Sequence, residues 1–119
     1  IACEGRVVAA RLHRAALRSD AARHTALTNL FTGRPARGIV NRLMRELGNA
    51  DAEHFSTGLG AVAPAFPLAT NAIGPLRAAA EKAGRTDFTP LWSGQNASGC
   101  RTGSATEITQ ALARGFDKG

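Results

Sequence analysis

Residues 32–44 read TGRPARGIVNRLM, and the rest of the chain can be organised around them. Gly33 can adopt a positive φ, and Pro35 biases the residue before it towards extended backbone, so this stretch predicts a turn. Proline is tolerated in the first turn of a helix, so we expect a helix from residue 35 or 37 to residue 47. Its apolar stripe would comprise Ile39, Val40, Leu43, Met44 and Leu47, with Gly48 as its stop.

Two further helices are predicted from the spacing of apolar residues. Over residues 7–18, Val8, Leu12 and Ala16 share one face, and arginines occupy the other. Residues 67–83 predict a helix pair or a kinked helix, because the Gly74–Pro75 dipeptide interrupts the pattern and Gly84 ends it.

The C-terminal region predicts a capped helix. Ser104 and Glu107 have the spacing of a capping box, so we expect a helix over residues 105–114. Ile108, Ala111 and Leu112 would be directed inward.

Residues 25–31 and 87–92 are short candidates for extended segments, and residues 49–64 and 93–99 predict loops. The predicted fold class is therefore mainly α with one or two short strands.

Length and composition fit one globular domain. The chain has 119 residues, of which 44% are apolar and 20% charged. It is well below the roughly 250 residues of a (β/α)₈ barrel. No apolar run approaches the length of a membrane span. The start at Ile1, without a methionine, suggests a truncated sequence. Cys3 and Cys100 are too far apart for a zinc motif, which favours a cytoplasmic protein with two reduced thiols.

The net charge of +6 is unevenly distributed. Arginine supplies 13 of the 15 basic residues, and nine of these lie in residues 1–48 beside only three acids. An Arg-rich helical module that binds nucleic acid is one interpretation. The other is compositional bias with many solvated arginines. Proteins that bind single-stranded nucleic acid use aromatic side chains on which the bases stack. The basic half lacks tyrosine and tryptophan, so nucleic-acid binding is the weaker alternative.

The residue types that carry catalysis do not form a recognisable set. His13, His24 and His54 have no second ligand at a metal spacing, so surface or capping roles are expected for them. The carboxylates are scattered, so no acid–base pair can be assigned. The sequence thus predicts neither a catalytic residue nor a metal site.

Two loops could bind ligands. Arg34 and Arg37 flank the predicted start of a helix, where an anion could bind, although a structural turn is the alternative. In the loop at residues 93–99, Ser93 and Gln95 place a hydroxyl and an amide around Gly94, directly after Trp92. Such an edge of donors and acceptors suits a planar heteroaromatic ligand. A loop that only links two secondary-structure elements can have the same composition.

Three stretches together resemble the C-terminal third of the nitronate monooxygenase family. They are TGRPARGIVNRLM at 32–44, FPL at 66–68 running into GPLRAAA at 74–80, and DFTPLWSGQ at 87–95. The resemblance covers most of residues 7–114. It implies an FMN-dependent (β/α)₈ barrel with an added, largely helical substrate-domain region, which oxidises alkyl nitronates with O₂ to a carbonyl compound and nitrite.

The resemblance also implies a division of the chain and roles for its loops. Residues 1–119 would be one partial domain, with 7–90 as the helical added region and 91–119 as the return segment and C-terminal helix. Ser93, Gly94 and Gln95 would face FMN, and Trp92 would line the substrate pocket. Arg34 and Arg37 would have structural roles.

The remainder of such an enzyme would lie outside this sequence. The family's catalytic histidine and flavin-phosphate loops belong to an N-terminal barrel portion, so none of the three histidines is assigned that role. We therefore expect the isolated chain to be inactive and to expose the apolar surface that would face the barrel.

Overall fold

A computed structural model describes residues 2–47 and 63–116. It is mostly helical with one small sheet, which confirms the predicted fold class at that level. The elements in chain order are α1 (Ala2–Leu17), β1 (Thr25–Thr28), β2 (Ala36–Ile39), α2 (Arg42–Leu47), α3 (Leu68–Lys82) and α4 (Ala105–Phe116), with short 3₁₀ turns at Asp20–Arg23 and Ala97–Gly99. No helix within the described residues is long and apolar enough to cross a membrane.

The sheet corrects one prediction. Strands β1 and β2 are antiparallel, with Thr25 opposite Ile39 and Thr28 opposite Ala36. Residues 36–39 were expected to open a helix, but they form β2, and the helix begins only at Arg42. Local spacing suits either structure, and the strand forms because its backbone finds hydrogen-bonding partners in distant segments.

Asn41 terminates β2 and starts α2. Its Oδ1 accepts a hydrogen bond from the backbone N–H of Met44 at 3.3 Å, as an N-cap residue does. Its Nδ2 donates to the carbonyl oxygens of Thr86 at 3.1 Å and Thr89 at 2.9 Å. The residue is only 6% exposed, so one buried amide joins α2 to residues 86–89.

Helix α3 is continuous through Pro75, so of the two predicted alternatives the helix pair is not observed and the segment is a single helix with an internal proline. Proline removes one helical hydrogen bond, but tertiary contacts anchor both halves of α3. In the first half, Thr70 Oγ1 donates to the carbonyl oxygen of Phe31 at 3.0 Å. In the second half, Glu81 accepts a hydrogen bond from Thr89 Oγ1 at 2.9 Å. Gly84 follows the helix with φ of 73°, as predicted for its stop.

The core consists of two small clusters. One contains Leu30, Phe31, Leu43 and Met44, so the central residues of the predicted α2 stripe are buried. The other contains Ala22, Ile39 and Leu91, and the end of α1 packs against it. Both clusters join residues near β1 and β2 to later parts of the chain.

Helix α4 has the predicted capping box. Ser104 donates to Glu107 Oε2 from its backbone N–H at 2.8 Å and from its hydroxyl at 2.9 Å. The Glu107 N–H donates to Ser104 Oγ at 3.2 Å. These bonds favour the charged carboxylate and lower the pKa of Glu107. Because the motif is local, sequence alone was sufficient to predict it.

The inward direction predicted for α4 is wrong. Leu112 is 66% exposed, Ile108 is 38% exposed, and no residue of α4 is buried. The expected exposure of apolar surface is therefore confirmed for this helix. It does not extend to Ile39, Leu43 and Met44, which are buried.

Some predictions fall outside the described residues. These are the stop at Gly48, nearly all of the loop at 49–64, His54, and the side chain of Cys3.

Candidate functional site

The candidate site begins where residues 91–93 join the free edge of β2. The Ile39 N–H donates to the carbonyl oxygen of Leu91 at 2.8 Å, and the Ser93 N–H donates to that of Arg37 at 3.3 Å. Gly38 and Trp92 thereby form an antiparallel bridge. The segment that the sequence selected for ligand binding is thus fixed to the sheet at its first residues.

Gly38 allows this close approach. A Cβ atom at this position would lie 3.0 Å from the carbonyl oxygen of Leu91 and 3.4 Å from Trp92 Cε3. A glycine inside a strand often marks such a close contact between backbones. The glycine is visible in the sequence, but a helix predicted over residues 37–47 hides its significance as a strand residue.

The Trp92 side chain packs against the core on one side and is exposed to solvent on another. Its ring meets Phe31 edge-to-face, with ring centroids 5.8 Å apart and planes at 89°. Phe31 is buried, whereas Trp92 is 37% exposed. The structure therefore presents a fixed indole surface beside the loop that follows it.

His13 contacts the same segment from α1. Its Nε2 lies 2.9 Å from the carbonyl oxygen of Trp92, and since a carbonyl only accepts, Nε2 donates. The sequence had indicated only a surface or capping role for His13. A contact across 79 positions leaves no local signal, so sequence reasoning missed it.

Ser93, Gly94 and Gln95 follow as a polar loop. Ser93 is half-buried, and its Oγ donates to the carbonyl oxygen of Gly94 at 3.2 Å. A Cβ atom on Gly94 would meet no heavy atom within 4 Å, and Gln95 is exposed. The loop thus offers an open backbone and a free-standing amide, which can both donate and accept hydrogen bonds.

Arg34 and Arg37 have structural contacts. Arg37 Nη1 donates to the backbone carbonyl of Thr25 at 3.3 Å and to its hydroxyl at 3.2 Å. The Arg34 guanidinium lies 4.3 Å from the centroid of the Phe66 ring. The turn leads into a strand, so the helix N-terminus that would favour an anion there is missing. These contacts favour the structural interpretation of the turn.

The described residues hold no group of three or more His, Cys, Asp or Glu side chains arranged for a metal ion. The thiol of Cys100 is free and exposed.

Comparisons with known proteins agree on one family. A family model described as nitronate monooxygenase matches residues 4–115. A probable nitronate monooxygenase of Staphylococcus saprophyticus is 32% identical over 88 residues, which are 74% of this chain and 22% of the relative. A nitronate monooxygenase of Pseudomonas aeruginosa is 33% identical over 102 residues, which are 84% of this chain and 26% of the relative.

A solved structure gives the same result. The nitroalkane oxidase from Streptomyces ansochromogenes superposes with a TM-score of 0.67 at 36% sequence identity. The match covers 87% of this chain and 26% of the oxidase. The chain therefore spans about a quarter of the length of the proteins it matches.

Proposed function

The chain belongs to the nitronate monooxygenase family, and we propose that it is the C-terminal part of a flavin-dependent enzyme that oxidises alkyl nitronates with O₂ to a carbonyl compound and nitrite. The match to residues 4–115 carries this proposal, and relatives named for that activity support it. Since the chain spans only 22–26% of those relatives, the rest of the enzyme would be a (β/α)₈ barrel portion.

We assign the two parts of the chain different positions in that enzyme. Residues 7–90 would form the added helical region, and residues 91–119 would return to the barrel mouth. The bridge between Gly38 and Trp92, at the start of the return segment, fits this division. The catalytic group would come from the barrel portion. We also propose a cytoplasmic enzyme, in line with the free thiol of Cys100.

The loop of Ser93, Gly94 and Gln95 has the chemistry to hold the ring of FMN. The pyrimidine edge of a flavin needs both donors and acceptors, and the exposed Gln95 amide supplies both. The open space around Gly94 lets a flat ring approach the backbone. FMN, when bound, supplies the redox chemistry that takes an electron from the nitronate and passes it to O₂.

Trp92 would form an apolar wall for the substrate. Its ring is fixed by Phe31 and its carbonyl by His13, so the exposed part of the indole has a defined position. An alkyl group packed there would displace water from beside the reacting carbon.

The alternative of a nucleic-acid-binding module gains no support. Three arginines of the basic half also make contacts within the chain. Arg23 pairs with Asp20, Arg42 with Glu46, and Arg37 bonds to Thr25.

A graft tests the proposed function. This chain replaces the matching segment of the Pseudomonas aeruginosa nitronate monooxygenase, and bound flavin, O₂ uptake and nitrite release are measured with an alkyl nitronate. We expect the graft to retain flavin and to release nitrite. A folded graft that binds flavin but releases no nitrite would refute the assignment.

Single variants of the graft test the loop. Gln95→Leu removes the amide, and the loss of one or two hydrogen bonds should weaken flavin retention about three- to tenfold. Gln110→Leu makes the same change on an exposed position of α4 and should have no effect. Equal flavin retention by the two variants would exclude Gln95 from the flavin site.

A further inference from the structure

A cavity lies between the end of α1 and residues 97–103, which closely follow the Trp92–Gln95 segment in the chain. Its volume is about 710 Å³. Arg14 and Arg18 line it from α1 and its following turn, and Arg101, Thr102 and Cys100 line it from the later segment. We call it the arginine cavity.

The three guanidinium groups of the arginine cavity have no ion-pair partner among the described residues. Among the side chains that the structure describes, no carboxylate lines the cavity. The charged Glu107 lies nearby, with its Oε2 3.2 Å from where a Cβ on Gly103 would be, but it is bonded to Ser104 and forms no ion pair with the three arginines. Three like charges around one space repel each other, and an anion between them removes that repulsion.

Helix capping does not account for the cluster. Cations near a helix C-terminus interact well with its dipole and last carbonyls, which could explain Arg14 and Arg18. However, the carbonyl of Ala15 already accepts the Arg18 N–H, and that of Ala16 accepts both the N–H and the hydroxyl of Ser19. Arg101 comes from a separate segment and has no such role.

We propose that the arginine cavity binds a small organic molecule through a phosphate group that carries more than one negative charge. Guanidinium groups pair with phosphate oxygens in a bidentate manner, and the hydroxyl of Thr102 adds a further donor. The volume is in the range of small-molecule sites and exceeds what one phosphate fills, so an organic phosphate fits better than the inorganic ion. The lining begins at Ala97, within the loop at 93–99, but it includes none of Ser93, Gly94 and Gln95, so the proposal does not rest on the flavin site or on the proposed reaction.

Titrations of the 119-residue chain at constant ionic strength test the proposal. The probes are inorganic phosphate, pyrophosphate and ribose 5-phosphate, and binding is followed by calorimetry. We expect saturable binding, with ribose 5-phosphate tighter than inorganic phosphate. Equal affinity for ribose 5-phosphate and inorganic phosphate would refute the proposal of an organic ligand. The absence of saturable binding for all three probes would refute the proposal of a phosphate site.

Matched variants locate the binding. Arg101→Gln should weaken the binding of pyrophosphate and of ribose 5-phosphate at least tenfold, because it removes one charge-assisted contact. Arg11→Gln makes the same change at an exposed position of α1 that does not line the cavity, and should change affinity less than twofold. Equal losses in the two variants would show general charge attraction and refute the site. Circular dichroism confirms that both variants fold.

Cys100 gives an independent readout because its thiol is free and lines the cavity. Saturating pyrophosphate should slow the alkylation of Cys100 by iodoacetamide at least threefold, as measured by peptide mass spectrometry. Sodium chloride at equal ionic strength should not. Protection by both salts, or by neither, would contradict binding in this cavity.

Discussion

Asn41 Nδ2 donates a hydrogen bond to the carbonyl oxygen of Thr89 at 2.9 Å, across 48 positions of the chain. The same side chain caps α2 through Met44. The start of α2 and the segment that leads to Trp92 therefore share one buried amide.

Replacement of Asn41 should destabilise the fold strongly. Asn41→Ala removes an N-cap and leaves the carbonyls of Thr86 and Thr89 without this donor, so we expect the free energy of unfolding to fall by about 2–4 kcal/mol. Asn41→Asp keeps the cap but places a carboxylate against two carbonyls, and should also destabilise. Urea denaturation followed by circular dichroism measures both. The control is Asn71→Ala, at an exposed position, which should lower the free energy of unfolding only slightly. A loss of the same small size for Asn41→Ala would contradict the role of the buried amide.

Gly33→Ala should be far more costly than Gly84→Ala. Both glycines have positive φ, 87° and 73°, which costs a residue with a Cβ about 1–2 kcal/mol. At Gly33 the new atom would also clash with the backbone nitrogen of Phe66 and lie 2.7 Å from the carbonyl oxygen of Pro64, whereas at Gly84 it meets nothing within 4 Å. The difference between their unfolding free energies isolates the steric contact. Similar values for the two variants would show that residues 64–66 move aside without cost.

Two ion pairs with equal geometry should differ in strength. Arg77–Glu81 and Arg42–Glu46 both span one helical turn at 2.7 Å. The Glu81 side chain is only 12% exposed and also accepts a hydrogen bond from Thr89. Double-mutant cycles should give a coupling of about 1–2 kcal/mol for Arg77–Glu81 and about 0.3–0.5 kcal/mol for the exposed pair. Equal couplings would mean that burial adds nothing here.

The N-terminal turn of α4 should loosen in acid. The hydrogen bonds from Ser104 lower the pKa of Glu107, so the capping box contributes fully above the ordinary glutamate pKa of about 4.3. Its contribution is lost as the pH falls through the lowered pKa. Amide chemical shifts of residues 104–108 between pH 7 and pH 2 follow this change. Glu107→Gln retains an acceptor that does not titrate, and persistence of the transition in this variant would assign it to another group.

Truncation of apolar side chains should lower the free energy of unfolding strongly in the core and very little in α4. Met44→Ala empties a fully buried position and should cost about 2–5 kcal/mol. Leu112→Ala removes a side chain that is mostly exposed and should change the unfolding free energy by less than about 0.5 kcal/mol. Thermal or urea unfolding of the 119-residue chain compares them. A large loss for Leu112→Ala would indicate that α4 is covered in solution.

The sequence predicted elements whose determinants are local. The capping box of Ser104 and Glu107, the stop at Gly84 and the apolar spacing of α1 each involve residues within one or two helical turns. These interactions form wherever the segment is helical, so pattern alone identifies them.

Elements that depend on distant partners were not predicted. The residues of β2 suit either a helix or a strand, and the choice is made by pairing with β1 and with Trp92. The apolar spacing of Ile108 and Leu112 identifies a helix face, but it does not say whether anything packs against it.

In the candidate site, the composition of the loop and the resemblance together selected Trp92–Gln95 as a prediction, whereas the anchoring contacts of His13 and Phe31 required the structure.

The position of β2 between two segments has a consequence for synthesis on the ribosome. One edge of β2 can pair with β1 as soon as both have emerged, but the other edge pairs with residues 91–93. A nascent chain that ends before residue 93 therefore carries an unpaired strand edge, which is a template for association with other chains. Ribosome pausing after β2 has emerged and before residues 91–93 have done so would extend the time for which this edge is exposed.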